Sequence, residues 1–224
     1  MSKLQSILLI LLLISTQTVM KAQDDRLTLG VRAGHNNVFG AFAAFSLETE
    51  QTFCEDFSVR GGLQYNTIGR AALEAHPAYN IQFGWGNLSV EALVEYNNLN
   101  SINNFSAGAG ACVDSKGVSA RLGYYYRLYG GMGSRLTEPF NIYYEFRAHF
   151  LRKIERWNLD LAILNCEMFE LERHYQPTYL LECMYSFGHH SSVLFGIGYK
   201  PAGTFNISAD YYQSFIKTGI CYRW

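Results

Sequence analysis

Proline is scarce in this 224-residue chain, four residues in all, and no Pro/Ser-rich linker, low-complexity tract or block of like charge interrupts it. Length alone allows residues 23–224 to form one domain or two, but nothing in the composition divides them, so one domain is expected. Helical patterning rich in Leu is almost absent beyond residue 22. The formal net charge is only −1 and the basic residues are scattered, which excludes the clustered positive field of a nucleic-acid binder. The five cysteines, Cys54, Cys112, Cys166, Cys183 and Cys221, show no C-x-x-C spacing and no paired His, so neither a zinc site nor any other metal or cofactor motif is expected. An odd number leaves at least one thiol outside any intramolecular disulfide. Most are expected to behave as small apolar residues.

The longest apolar run is also too short to cross a bilayer as a helix, which needs roughly 20 residues. It spans Ile7 to Ile14. Lys3 precedes it, and a polar stretch leads to Ala22. That order of basic, apolar and small residues is the layout of a secretory signal peptide. Cleavage is expected after Ala22, with Met20 an unusual residue two positions earlier, and residues 1–22 are set aside from the fold.

What the chain has in quantity is Tyr (16), Phe (15) and Gly (20), and its apolar residues recur with period two. In Val118–Leu128, Val118, Ala120, Leu122, Tyr124, Tyr126 and Leu128 fall on one parity, with Ser119, Arg121, Gly123, Tyr125 and Arg127 on the other. Successive side chains of a strand point to opposite faces, so this is an apolar face backed by a polar one. Phe140–Phe150 repeats the pattern, as do segments starting near Leu27, Phe57, Leu88, Trp157, Tyr179 and Val193. Less regular stretches lie near 38–48, 78–85 and 103–113. Turn signals such as Asp114-Ser-Lys-Gly117 and Pro201-Ala-Gly203 separate them.

Two architectures fit: a soluble, secreted β-sandwich, and a membrane barrel that turns its apolar face to lipid. Many segments run about 9–11 residues, enough to cross a membrane at the usual tilt, against roughly 5–6 in soluble proteins. The tryptophans, Trp85, Trp157 and Trp224, stand at segment ends, and with Tyr222 they suit an interfacial aromatic girdle. The polar parity mixes Gly, Ser and Asn with isolated charges rather than a solvated Lys/Glu face. The barrel is the preferred reading.

The chain ends on Ile216, Thr218, Ile220, Tyr222 and Trp224 of one parity. This resembles the terminal strand of bacterial outer-membrane β-barrel proteins, which closes on an aromatic residue preceded by alternating apolar ones. The resemblance implies location in the outer membrane, contact with its lipid, and delivery by the barrel-assembly machinery, which reads that strand. It identifies no subfamily. The fold expected is all-β: a closed, antiparallel, up-and-down transmembrane barrel. The pass yields about thirteen candidate segments, ending with 204–211 and 215–224, and even numbers are the rule. Twelve strands are expected, ten or fourteen remaining open, with 66–85 the first segment to discard because Thr67–Pro77 reads equally well as a loop or a bent strand.

Turning the polar parity inward puts Arg32, Arg60, Arg121, Arg127, Arg147, Lys200, Lys217 and Arg223 in the lumen, facing Glu91, Glu95, Glu145, Asp160, Glu182 and Asp210. Charges there avoid the cost of lipid. With signs balanced, mutual pairing is the preferred reading over a bare Arg stripe for a small anionic solute. The expected function is a small porin-like channel, or a closed structural or surface-binding barrel with a charge-paired lumen. A third reading is a lipid hydrolase, in which His189 with Ser191 or His190 with Ser192 supplies base and nucleophile. Val193 follows Ser192 where such enzymes carry Asn, and His35 reads as a loop residue, so catalysis is disfavoured.

Overall fold

The alternation read from the sequence is realised as a barrel. A computed structural model describes residues 25–37, 39–54, 56–99, 102–131, 134–154, 156–167, 170–171, 177–201 and 213–224. The signal segment 1–22, Asp210 and the candidate strand 204–211 lie outside the described residues. The barrel strands are β1 (Arg26–Asn36), β2 (Gly40–Cys54), β3 (Phe57–Asn66), β4 (Arg70–Phe83), β5 (Gly86–Leu99), β6 (Ile102–Ser115) and β7 (Val118–Gly131). They continue with β8 (Ser134–Ile154), β9 (Trp157–Leu164), β12 (Thr178–Ser186), β13 (Ser191–Lys200) and β14 (Gln213–Arg223). Between β9 and β12 stands a separate pair, β10 (Cys166–Glu167) and β11 (Glu170–Leu171).

Each barrel strand pairs antiparallel with the next in sequence, and β1 pairs with β14 from Arg26↔Arg223 to Asn36↔Gln213, closing a ring of twelve. Closure leaves no edge of unpaired N–H and C=O groups, a condition for crossing hydrocarbon. β13 pairs directly with β14, so the ring is complete without 204–211. The expectation that 66–85 is the false segment is corrected: β4 is a full strand. Its Pro77 lacks an N–H, and the β4–β5 ladder passes from Ala75↔Val94 to Ala78↔Glu91 without pairs at 76 and 77. The β3 side keeps Val59↔Pro77. One interrupted ladder accommodates the proline.

The two faces differ sharply. On β7, Leu122, Tyr124, Tyr126 and Leu128 are exposed, whereas Tyr125 is 0 % accessible and Arg127 is buried. Exposed Leu, Ile, Val, Phe and Tyr continue around every strand, an apolar surface far beyond what a water-soluble monomer shows. The start of β1, the end of β14 and the β2–β3, β4–β5, β6–β7, β8–β9 and β12–β13 turns share one end of the barrel. Trp85, Trp157, Tyr222 and Trp224 are exposed at that same end. Trp85 stacks on Phe83 at 5.7 Å, and Trp157 packs on Tyr185 at 4.5 Å. β9 and β13 end, and β12 and β14 begin, at the far end.

Inside, glycine opposite a ring is a recurrent device. Gly123 faces Tyr143 in register and Gly198 faces Phe215. In both cases a Cβ would collide with the ring across from it, so only glycine admits these aromatics into the lumen.

Candidate functional site

The connection after β9 leaves the wall and turns inward. Asn165 makes this exit: its N–H donates to the Tyr144 carbonyl (3.1 Å), its side-chain oxygen accepts from the Tyr144 N–H, and its amide donates to the Ile142 carbonyl (2.9 Å). The β8 backbone is thereby satisfied where the β9 ladder stops at Glu145↔Leu164, as buried backbone groups require. Cys166 and Leu171 are then buried in one apolar cluster with Leu93, Tyr125 and Tyr143.

The hairpin is held from opposite walls. Glu167 meets Lys217 Nζ at 3.0 Å and Arg32 Nη2 at 3.1 Å. At its other end, Arg127 Nη2 donates to the Leu171 carbonyl at 2.6 Å while Nε donates to Ser106 Oγ at 3.0 Å. β1, which carries Arg32, and β7, which carries Arg127, stand six strands apart in the ring of twelve. The hairpin therefore bridges the lumen. A register shift between Tyr125 and Arg127 lies beside this grip, a common location for bulges.

Glu167 also joins Arg32 to a continuous chain of ion pairs. Glu91 joins Arg121 (3.1 Å), Arg121 joins Glu145 (3.2 Å), and Glu145 joins Arg147 (2.8 Å). Arg147 reaches Asp160 and Glu182, and Glu182 passes the chain to Lys217 at 2.6 Å. His149 adds a contact to Asp160 at 2.9 Å. Acids and bases alternate around the wall from β5 to β1. The buried charges are thus mutually compensated, the condition under which they are tolerated in low dielectric. A second group sits nearer the far end: Glu95 between Arg70 (3.6 Å) and Arg127 (3.7 Å).

Below the hairpin the barrel encloses a cavity of about 430 Å³, adjoining another of about 460 Å³. Arg26, Glu50, Arg60, Cys112, Asp114 and Arg121 border both, making one vestibule toward the terminus-bearing end. Arg60 is half-buried here and, among the described residues, engages in no ion pair. Tyr143 donates to Glu91 at 3.2 Å at the vestibule's inner limit.

Of the residues the sequence placed on the inward parity, Arg32, Glu91, Glu95, Arg127, Glu182 and Lys200 are buried. Arg60, Arg121, Glu145, Arg147, Asp160 and Lys217 are half-buried. Arg223 is exposed and borders the vestibule's mouth rather than its depth. The sequence reading missed the hairpin altogether, and with it Glu167. The one available signal was Asn165, a residue poorly suited to a strand interior, directly after an apolar segment.

The His/Ser neighbourhood carries no triad geometry. Ser192 is buried and shares a hydrogen bond with Ser186 at 3.0 Å, and His190 Nδ1 lies 2.9 Å from the Arg223 carbonyl. Among the described residues no carboxylate orients either histidine, and His35 lies at the opposite end of the barrel. All five cysteines are free, and no metal-binding cluster occurs among the described residues.

No protein-family model matches the chain, and no curated protein does. Solved structures do. The KdgM porin in complex with disordered oligogalacturonate superposes with a TM-score of 0.57 at 13% identity, covering 88% of this chain and 99% of that one. The NanC porin gives 0.58 at 11%, covering 88% and 100%. The translocator domain of the autotransporter NalP from Neisseria meningitidis gives 0.59 at 12%, covering 98% and 95%. At such identities the likeness is one of fold, and the same fold here serves both porins and a translocator. The chain is a closed twelve-stranded β-barrel with the fold of bacterial outer-membrane barrel proteins.

Proposed function

We propose that the chain is a narrow outer-membrane channel for small polar solutes, entered through the charged vestibule and constricted by the paired strands β10 and β11. The observation that carries this is the hydrated-size cavity lined by charge inside an apolar-faced barrel. Barrels of about eight strands are filled by side chains and those of 16–18 leave a wide channel, so twelve give a restricted bore. An anionic cargo is favoured because Arg60, in no close ion pair among the described residues, presents its guanidinium to the vestibule, and because KdgM, of like fold, is known in complex with oligogalacturonate. The ion-paired residues of the wall would set selectivity by their fixed charges.

The remaining architecture fits this reading. Residues 1–22 would direct export, and the Ile216–Trp224 face would be the signal for barrel assembly. The terminus-bearing end would be periplasmic, as is usual for bacterial barrels, with Trp85, Trp157, Tyr222 and Trp224 seated at that interface.

Single-channel recording on protein refolded into planar bilayers is the test. Discrete conductance steps are expected, and their absence would favour the second reading, a closed structural or surface-binding barrel. That reading draws on one observation: two buried apolar clusters lie inside the barrel, Phe42, Ala162, Leu164, Leu180 and Phe215 in one and the hairpin cluster in the other.

A further inference from the structure

Arg32 and Lys217 are direct register partners across the β1–β14 seam, and both border the vestibule. Between them sits a carboxylate that belongs to no barrel strand: Glu167, with Oε1 on Lys217 Nζ at 3.0 Å and Oε2 on Arg32 Nη2 at 3.1 Å. One oxygen to each cation is the way such a pair would receive any carboxylate. The site is built and supported from behind. The Arg32 guanidinium lies 3.5 Å from the centre of the Phe215 ring, which is itself seated on Gly198. Lys217 is held from its other side by Glu182 at 2.6 Å.

We infer that Arg32 and Lys217 form a carboxylate-binding site, that Glu167 occupies it as a tethered stand-in, and that a carboxylate-bearing solute in the vestibule displaces Glu167 and frees the hairpin from the β1–β14 wall. This rests on the channel reading above and adds to it the class of solute and the means by which that solute opens its own path. Charge favours exchange over simple departure. With Glu167 gone and nothing in its place, Lys217 retains Glu182, whereas Arg32 gives up a carboxylate at 3.1 Å deep in the barrel, and withdrawing a member of a buried ion pair is costly. An incoming carboxylate removes that obstacle. Because Glu167 is attached to the wall by a short segment, it competes at an effective concentration in the millimolar range, so solute is required at roughly millimolar levels. At the far end of the hairpin, Arg127 on the Leu171 carbonyl acts as the hinge that remains.

Cys166 gives a readout independent of conduction, since it neighbours Glu167 and is buried with the hairpin. The full chain is refolded in detergent, and addition of a maleimide to Cys166 is followed by peptide mass spectrometry with galacturonate as the carboxylate probe and galactose as the neutral control. Conductance is recorded on the same preparations. Galacturonate is expected to accelerate Cys166 labelling about tenfold relative to galactose, reflecting a larger population of the released hairpin. E167Q is expected to label at the faster rate in buffer and to have lost the response. Equal rates with the two sugars in the natural chain overturn the inference, as does an E167Q as slow as the natural chain. Should E167Q fail to refold, judged by heat-modifiable migration, the comparison of the two sugars decides alone. Galacturonate-dependent labelling without conductance keeps the carboxylate site and removes the channel reading. Conductance with a Cys166 indifferent to galacturonate does the reverse.

Discussion

The ring of Phe215 occupies the space in which a side chain on Gly198 would begin. The two residues face each other across β13 and β14, and the guanidinium of Arg32 lies against the same ring. A glycine on one strand thus sets the position of a cation two strands away.

Gly198→Ala forces that ring to move, and overpacking of this kind costs typically about 1–3 kcal/mol. Gly84 offers the control, because a Cβ there meets nothing within 4 Å. Urea unfolding in micelles should separate the two variants. Equal midpoints would mean the Phe215 seat is unimportant.

The ion-pair chain makes its own demand. Arg147 contacts Glu145, Asp160 and Glu182, and its removal withdraws the cation the three share, leaving each with one other partner, Arg121, His149 and Lys217. Arg147→Met is expected to destabilise by about 3–5 kcal/mol, as for other broken buried pairs. Arg223→Met, at the exposed mouth, should stay within about 0.5 kcal/mol. The same unfolding measurement checks both, and a mild Arg147 variant would show that the chain adds little.

The outward face is tested by depth. Leu122 and Val118 lie on one face of β7, both exposed, with Val118 at the strand's first residue. In lipid vesicles Leu122→Arg is expected to cost about 2–4 kcal/mol and Val118→Arg about 0–1 kcal/mol. A folding assay in which the two variants behave alike would contradict a lipid-embedded face.

The hairpin has a chemical signature in pH. It lies off the barrel wall, and burial pushes the Cys166 thiol well above its ordinary range. An ordinary thiol is half-ionised near pH 8.5, and only the thiolate is the nucleophile. A free small-molecule thiol should therefore gain maleimide reactivity between pH 7 and 9, while Cys166 stays slow across the same interval. Parallel profiles for the two would place Cys166 in water.

Period two was enough to read the barrel from the sequence, because lipid and lumen act on alternate residues of each strand. Val118–Leu128 and Phe140–Phe150 show this most plainly. β4 escaped because Pro77 is a legitimate loop signal, and only the neighbouring strands reveal that the ladder tolerates it. Polar residues on the inward parity could be named but not paired. Glu182 reaches Lys217 over an intervening strand, a relation fixed by tilt and stagger rather than by spacing along the chain. Glu167 was invisible for a different reason. A short hairpin that folds inward is held by partners on distant strands, and nothing local to residues 165–171 encodes where Arg32 and Arg127 will be.

The clustering of Trp85, Trp157 and Trp224 at one end of the barrel has an optical consequence. These are the chain's only tryptophans, so its intrinsic fluorescence reports on a single rim. Emission and depth-dependent quenching during insertion will follow the arrival of the terminus-bearing end in the membrane and will be silent about the far end. A hairpin that closes late, well after the rim has settled, would leave no trace in that signal.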